Sequence, residues 1–164
     1  MNLSTQARER IAKTIKNGAV LLHSNKIIYR NNDANYQFRQ FSDFHYLTDW
    51  PEPDAHAVIL VKNSVPELHM FVLDKNEEME TWDGKRIGQQ GAIDLYGAHK
   101  AYSNAEYKNK LADLLKGHTD IYCDYSSSVF QEIDQQVLNF AVPYDQRGGN
   151  FSKANLHSIQ PILS

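Results

Sequence analysis

The stretch "AHAVILVKNSVPELHMFVL", residues 55–73, contains two apolar segments separated by a polar turn. Every position from Ala57 to Val61 is apolar, whereas a strand with one solvated face alternates apolar and polar residues. A strand that is covered on both faces needs helices above and below its sheet. Turn residues from Asn63 to Pro66 then lead into a second strand. The stretch therefore predicts central strands of an α/β sandwich.

The residues before this stretch predict a helix and another buried strand. Ser4 is a suitable N-cap and Asn17-Gly18 a suitable stop, so the helix extends over about residues 4–17. Its apolar face repeats every four residues, at Ala7, Ile11 and Ile15. Residues 19–23, "AVLLH", follow as the buried strand.

The residues after it predict two more helices with a strand between them. Ser103 and Glu106 have capping-box spacing, and the helix that they start ends at Gly117. "DIYCD", residues 120–124, is a short strand, and residues 126–128 cap a last helix. The apolar face of that helix consists of Phe130, Ile133, Val137 and Phe140. Residues 143–155, "PYDQRGGNFSKAN", are predicted to form a loop, and residues 156–164, "LHSIQPILS", to open a further element. This order of elements predicts an α/β fold, with a mixed β-sheet flanked by helices.

The composition is that of a single soluble domain over residues 1–164, with 41% apolar and 23% charged residues. No apolar run is long enough to span a bilayer, and the N-terminus carries charge where a signal peptide needs apolar residues. The net charge is −3 and the basic residues are scattered, unlike the basic patch typical of nucleic-acid binding. We therefore expect a cytoplasmic protein with no membrane or nucleic-acid partner. The one cysteine, Cys123, fits a reducing compartment and a buried strand position.

The chain lacks a motif for catalysis or metal binding. Its seven histidines form no H-x-H or H-E-x-x-H pattern, and Asp54 with His56 is a weak two-ligand candidate. No glycine-rich phosphate loop and no G-x-S-x-G nucleophile motif occurs. The acidic segment of residues 74–80 lacks the alternating ligands of a calcium loop and is predicted to be a solvated loop. The sequence thus predicts no catalytic residue and no metal ligand.

A second stretch, "NYQFRQFSDFHYLTDWPEPDA", residues 35–55, carries six aromatic side chains between Tyr36 and Trp50. Three of them recur at every third position, at Phe38, Phe41 and Phe44. That spacing predicts a short helical turn with its aromatic edge inward. Arg39 and Asp43 are four positions apart and could form an ion pair. For the aromatic side chains, packing in the core is favoured over a ligand-binding surface.

This second stretch and its surroundings resemble the N-terminal domain of the Xaa-Pro aminopeptidases, in the creatinase/prolidase superfamily. The family pattern has an Arg-Asn-x-Asp segment, a Tyr-x-Phe-Arg-Gln-x-Ser-x-Phe-x-Tyr-Leu-Thr-Gly segment and a Glu-Pro pair. The matching residues are Arg30, Asn31, Asp33, Tyr36, Phe38, Arg39, Gln40, Ser42, Phe44, Tyr46, Leu47, Thr48, Glu52 and Pro53. A Trp-x-Gly-x-Arg-x-Gly segment is matched by Trp82, Gly84, Arg86 and Gly88. Asp49 departs from the pattern, because the family has glycine there; aspartate tolerates a positive φ at a modest cost.

The resemblance covers nearly the whole chain and implies a ribonuclease H-like fold, with a mixed sheet flanked by helices. It implies structural roles for the motif residues Arg30, Asp33, Phe38, Arg39, Ser42, Phe44, Tyr46, Glu52 and Pro53. It also accounts for the missing chemistry. In the family a divalent metal pair, commonly manganese, is held by a C-terminal "pita-bread" metallopeptidase domain, which is absent from this chain.

The implied function is that of the non-catalytic N-terminal domain of an enzyme that removes the N-terminal residue before a proline. The implied partners are the C-terminal catalytic domain of the same parent chain, further copies in a homo-oligomer, and peptides with proline in second position. Trp82 would form part of the wall of a neighbouring subunit's active site. It is expected on a loop supported by the Asp83-Gly84 turn and by Arg86. The fragment alone is expected to be inactive.

Two alternatives belong to other classes of function. One is a stand-alone peptide- or protein-binding module without peptidase activity. Relatives of this architecture that have lost the metal ligands act as chromatin-associated chaperones and are expected to carry long acidic segments, whereas the acidic run here is short. The other is a complete small enzyme built from scattered His and Asp residues, for which stoichiometric bound metal would be the evidence.

Overall fold

The structure, a computed structural model, describes residues 2–26, 29–31, 34–35, 38–124, 126–137 and 155–164. The side chains of residues 29–31, 34–35 and 83 are not part of this description. In chain order the strands are β1 Gly18–His23, β2 Tyr29–Asn31, β3 Ala34–Asn35, β4 His56–Lys62, β5 Val65–Val72, β6 Lys100–Ser103, β7 Asp120–Cys123 and β8 Asn155–Ser158. The helices are α1 Leu3–Ile15, α2 Ser42–Thr48, α3 Glu77–Asp83, α4 Gly88–Tyr96, α5 Tyr107–Leu114, α6 at 128–137 and α7 Gln160–Leu163.

Six of the strands form one mixed sheet in the order β6-β5-β4-β1-β7-β8. β4 is antiparallel to both of its neighbours, β1 and β5. The pairs β1–β7, β5–β6 and β7–β8 are parallel. β2 and β3 form a separate two-stranded ribbon. The predicted fold class, a mixed sheet flanked by helices, is confirmed.

The central strands are covered on both faces, as their unbroken apolar sequence predicts. Alternate side chains of a strand point to opposite sides. One buried cluster joins the sheet to α1, α2 and α4, and its strand members include Val20, Leu22, Ala57, Ile59 and Val61. The other joins it to α5 and α6, and its strand members include Ala19, Leu21, Val58, Phe71 and Ile121. Each of the buried Val, Leu, Ile and Phe side chains among them contributes about 1.5–3 kcal/mol to the hydrophobic stabilisation.

The helix boundaries agree with those predicted from the sequence within a few residues, but the predicted N-cap of α1, Ser4, was wrong. The Oδ1 atom of Asn2 accepts a hydrogen bond from the Thr5 amide at 2.8 Å, so Asn2 and not Ser4 is the N-cap. At the start of α5 the predicted capping box is present, with Glu106 Oε2 accepting from the Ser103 amide at 3.1 Å. A single 3₁₀ turn, Asn104–Glu106, precedes α5.

The C-terminal region departs most from the prediction. Asn155–Ser158 forms the edge strand β8, which begins at the last residue of the expected loop and continues into the segment expected to open a further element; it pairs with β7 in parallel. Its residues are mostly exposed, so the strand depends on this pairing and not on an apolar sequence of its own. In α6, residues Phe130–Asp134 form a π turn, and the predicted face residue Phe140 lies outside the described residues. Within the described part of the chain, no helix has the length and apolarity that a membrane crossing requires.

Candidate functional site at the Trp82 helix

Trp82 is the most exposed large apolar side chain of the structure, at 87% of its full accessible surface. It lies near the end of the short helix α3, so the prediction that it lies on a loop was wrong. The physical reason is the N-cap, because Asn76 Oδ1 accepts from the amides of Glu78 and Met79. Met79 precedes Trp82 by three positions and is also exposed, so both side chains occupy one face of α3. An exposed Trp–Met pair of this kind is typical of an interaction surface.

The chain segment after α3 is held by two carboxylates at successive amides. Glu80 Oε1 accepts from the Arg86 amide at 2.9 Å. Glu52 Oε1 accepts from the Ile87 amide at 2.8 Å. The residues expected to support Trp82 contribute differently: Gly84 ends α3 with φ 87°, a conformation suited to glycine, and Arg86 contributes its backbone amide. The side chain of Asp83 lies outside the described residues.

Glu52 connects this segment to the aromatic motif. Its side chain is buried, and burial raises the pKa of its carboxyl group, while the Ile87 amide and the Arg86 charge act in the opposite direction. Its carbonyl oxygen accepts from Gln40 Nε2 at 3.0 Å, and so does the carbonyl of Trp50, at 3.1 Å. Gln40 Oε1 in turn accepts from the Asn25 amide. One glutamine side chain therefore holds together the start and the end of the motif.

The remaining motif residues are divided between core and surface. Phe44 and Trp50 are buried, Phe41 is 51% exposed, and Phe38 is half-buried. The prediction that Phe38, Phe41 and Phe44 lie on one helical turn was therefore wrong. The helix α2 begins only at Ser42, after an extended Phe41. Pro53 is buried and Ser42 is exposed.

The polar and charged residues of the motif act mainly through local contacts. Tyr46 is 38% exposed and accepts a hydrogen bond from the Arg10 guanidinium. Arg39 is exposed and its carbonyl accepts from Asn25 Nδ2. No ion pair joins Arg39 to Asp43, whose carboxylate accepts from Gln160 Nε2 at 2.8 Å.

Two further sequence predictions concern this part of the motif. Asp49 ends α2 with φ 58°, the kind of backbone conformation that aspartate tolerates at a modest cost. The side chains of Arg30 and Asp33 lie outside the described residues.

A polar network that was not predicted from the sequence lies at the carboxyl end of β1. His23 Nε2 is 2.6 Å from Asp134 Oδ2, and the Tyr107 hydroxyl donates to Asp134 Oδ1 at 2.7 Å. The Nδ1 atoms of His23 and His56 are 3.0 Å apart, and the His56 ring stacks on Tyr107. One signal could have predicted part of it, because antiparallel pairing of β1 with β4 places His23 opposite His56.

The electrostatics of this network favour a neutral His56. Burial lowers the pKa of His56 from 6.5 to about 3, and the neighbouring His23 and Lys26 act in the same direction. Burial raises the pKa of Tyr107 well above its usual value, so its hydroxyl remains a donor to Asp134. Asp134 lies at the end of the π turn in α6, is fully buried and is hydrogen-bonded to both His23 and Tyr107. The network stabilises the junction of β1, β4, α5 and α6.

A cleft of about 430 Å³ lies beside the network, at the carboxyl ends of β1 and β7. The segment after β1 leads to α2 and the segment after β7 leads to α6, on opposite faces of the sheet. Such a switch point is where open α/β sheets place ligand clefts. The polar groups along it are mostly bound to the protein, as when Asp124 Oδ1 accepts from the Ser126 amide.

The described residues offer little for catalysis. They contain no cluster of three or more His, Cys, Asp or Glu side chains that could hold a metal ion. Asp54 lies before β4 and not within it, with φ 54°, so the expected two-residue spacing on one strand face does not occur. Cys123 is buried, and burial raises the pKa of its thiol to about 12, which disfavours the reactive thiolate.

The family profile described as "Aminopeptidase P, N-terminal domain" matches residues 5–122. A Xaa-Pro aminopeptidase of Haemophilus influenzae is 38% identical over 106 residues, which are 65% of this chain and 25% of that protein. Xaa-Pro aminopeptidase 3 of Rattus norvegicus is 34% identical over 149 residues, 88% of this chain and 28% of that protein.

Solved structures agree with the sequence relatives. Aminopeptidase PepP of Pseudomonas aeruginosa superposes with a TM-score of 0.85 at 27% identity, over 98% of this chain and 36% of that chain. Aminopeptidase P of Escherichia coli in its low-pH form has the same fold, with a TM-score of 0.86 at 24% identity. The chain thus spans about a quarter to just over a third of the length of these proteins. On the strength of the profile match and of this shared fold, the chain belongs to the aminopeptidase P N-terminal domain family.

Proposed function

We propose that this chain is the non-catalytic N-terminal domain of a metal-dependent Xaa-Pro aminopeptidase, acting in the cytoplasm. The parent enzyme would remove the N-terminal residue that precedes a proline. The observation that carries the proposal is the match of nearly the whole chain to proteins named for this activity, of which it spans only the smaller part. The remaining part of the parent, a C-terminal domain, would provide the catalysis.

The domain's own contribution would be binding and enclosure. An exposed Trp82 beside an exposed Met79 supports a contact with another subunit of a homo-oligomer. In that assembly the indole of Trp82 would form part of the wall around a neighbouring subunit's substrate site. Aromatic side chains suit such a wall, because they bury a large apolar area against a peptide and lose little conformational entropy.

The metal chemistry would belong to the parent's other domain. A divalent metal pair, for which manganese is the expected metal, supplies an activated hydroxide for attack on the scissile peptide bond when it is bound there. The described residues of this chain contribute no metal-binding cluster. Their role would be to bind the peptide around its second-position proline and to keep bulk water away from it.

The proposal is tested with the natural gene and with purified protein. The open reading frame beyond Ser164 should encode a metal-binding peptidase domain, and the 164-residue chain alone should not cleave Xaa-Pro peptides with added Mn²⁺. In the parent enzyme, Trp82→Ala should raise KM for these peptides more than it lowers kcat. Leu95→Ala, at another exposed apolar residue, is the matched control and should change neither.

Contrary outcomes would redirect the interpretation. A stop codon at this point would favour the alternative of a stand-alone peptide- or protein-binding module. Metal-dependent cleavage by the pure chain would overturn the proposal of a non-catalytic domain. Unchanged kinetics in Trp82→Ala would remove Trp82 from the substrate site.

A further inference from the structure

The position of Trp82 depends on the ends of α3, because the helix has no buried face. Each residue of α3 whose side chain is described is exposed, apart from the half-buried Glu80. A helix of seven residues is too short to be stable by itself in water. The contacts before and after α3 therefore decide where Trp82 points.

The segment before α3 is held by contacts at the surface. Asp74 accepts from Gln89 Nε2 at 2.7 Å and from the Ser103 hydroxyl at 2.7 Å. All three side chains belong to exposed or partly exposed residues, so water competes for these hydrogen bonds. They locate the start of α3 near α4 and β6. The position of its other end, which carries Trp82, depends on the contacts of the segment after α3.

The segment after α3 is held by Glu80 and Glu52, and these two carboxylates are not equivalent. Glu80 belongs to α3 itself, so its bond to the Arg86 amide moves with the helix. Glu52 comes from outside this segment and is buried beside the core residue Trp50. Its bond to the amide of Ile87, the N-cap of α4, therefore fixes the segment between α3 and α4 to the rest of the fold, together with the packing of the Ile87 side chain against the core.

The position of Glu52 is itself fixed. It lies between Pro51 and Pro53, which restrict the backbone, and Gln40 Nε2 binds its carbonyl oxygen. The bond to Ile87 uses Oε1, while Oε2 is buried and has no hydrogen-bond partner among the described residues. A buried carboxylate oxygen without a partner is unfavourable by itself, which indicates a use for this side chain other than core packing.

We propose that Glu52 is the positioning residue of Trp82: through the Ile87 amide it sets the direction in which α3 presents the indole. The link to peptide binding rests on the proposed function of Trp82, whereas the link from Glu52 to α3 does not. The chain of contacts runs from Gln40 to Glu52 and from Glu52 to Ile87, the N-cap of α4. The Arg86 amide, next to Ile87, then binds Glu80 of α3. This chain of contacts joins two family motifs, which lie about thirty residues apart in the sequence.

Hydrogen exchange on the 164-residue chain tests the link directly. Glu52→Met keeps the side-chain size and removes the acceptor, so the Ile87 amide should exchange at least about tenfold faster. Glu52→Gln keeps an acceptor oxygen and should restore exchange to within about threefold of wild type. Glu78→Gln, at an exposed carboxylate of α3, is the matched control and should leave this exchange unchanged. Protected amides of β4 report that each variant is folded.

Trp82 supplies a second readout. Acrylamide quenches the exposed Trp82 but not the buried Trp50. The difference between the fluorescence anisotropy measured without and with acrylamide therefore reports on Trp82. The anisotropy should fall in Glu52→Met and recover in Glu52→Gln. Unchanged Ile87 exchange and unchanged anisotropy in a folded Glu52→Met variant would overturn the proposal.

The wild-type protein provides a test that does not depend on the folding of a variant. The chemical shift of the Ile87 amide proton should follow the titration of the Glu52 carboxyl group, because the two are hydrogen-bonded. If the chemical shift of the Ile87 amide proton stays constant while Glu52 titrates, the proposal is overturned. If Glu52→Met loosens Trp82 but Trp82→Ala leaves peptide KM unchanged in the parent enzyme, the positioning role stands and the proposed function of Trp82 fails.

Discussion

Lowering the pH from 7 to 5 is expected to destabilise this protein through His56. The pKa of His56 is lowered from 6.5 to about 3 in the folded protein, so the unfolded chain binds more protons between these values. Stability from this group is complete above the unfolded pKa and is lost as the pH falls towards the folded one. The main cause is desolvation of the ring, which is stacked on Tyr107, and the nearby His23, whose Nδ1 atom is 3.0 Å away, acts in the same direction. Protonating both rings would place two N–H groups against each other.

The expected loss is about 2 kcal/mol between pH 7 and pH 5, from the linkage relation with an unfolded pKa of 6.5. At pH 5 the folded His56 is still neutral, so the unfolded-state pKa sets this value. With a slope of about 2 kcal/mol per molar urea, the unfolding midpoint should fall by about 1 M. Urea unfolding at both pH values, followed by circular dichroism, measures it.

A substitution isolates the contribution of His56 from the other titrating groups. His56→Asn places an amide near the position of Nδ1 and cannot bind a proton, so its pH-dependent loss should be about 2 kcal/mol smaller than that of wild type. His45→Asn, at an exposed histidine of α2, is the matched control and should retain the wild-type loss. An equal loss in wild type and His56→Asn would refute the neutral state of His56 in the folded protein.

Three further predictions concern the stability and reactivity of the fold. Arg8 is buried and donates to the Leu47 carbonyl at 2.7 Å, so Arg8→Met should cost about 2 kcal/mol in urea unfolding, whereas Arg10→Met should cost less than about 1; equal costs would contradict the role of the buried bond. Asp49 has φ 58°, so Asp49→Val should destabilise by at least about 1 kcal/mol and Asp49→Gly should be close to neutral; a tolerated valine would argue against this backbone conformation. The pKa of Cys123 is about 12, so a disulfide reagent at pH 8 should react with its thiol only as fast as the protein opens; rapid reaction in the native protein would show an accessible thiolate.

The parts of the fold that sequence predicted correctly are those with a local cause. The apolar run from Ala57 to Val61 predicts a strand covered on both faces, because a strand with one solvated face would carry polar residues at alternate positions. The α1 helix follows from a period of about four residues between its ends. That position 49 accepts φ 58° agrees with the tolerance of aspartate for positive φ.

Some errors arise because a partner distant in the sequence contributes to the outcome, and others from a local cap or helix start that was misjudged. Residues 74–80 are acidic and were expected to be a loop, but an asparagine N-cap and contacts to Gln89 and Ser103 stabilise α3. β8 is a strand because the backbone N–H and C=O groups at the edge of β7 pair with it. The aromatic spacing at Phe38, Phe41 and Phe44 suggested one helical face, but only Phe44 of the three is buried, since α2 begins after Phe41.

The sequence by itself determined the fold class, the membership of a family and the identity of Trp82 as the residue to examine. Tertiary structure decided what surrounds the candidate residues. Glu52 meets Ile87 across 35 positions, and His23 meets Asp134 across 111. Periodicity and capping act over a few residues and are visible in the chain, whereas hydrogen bonds between separate elements depend on how the sheet brings those elements together.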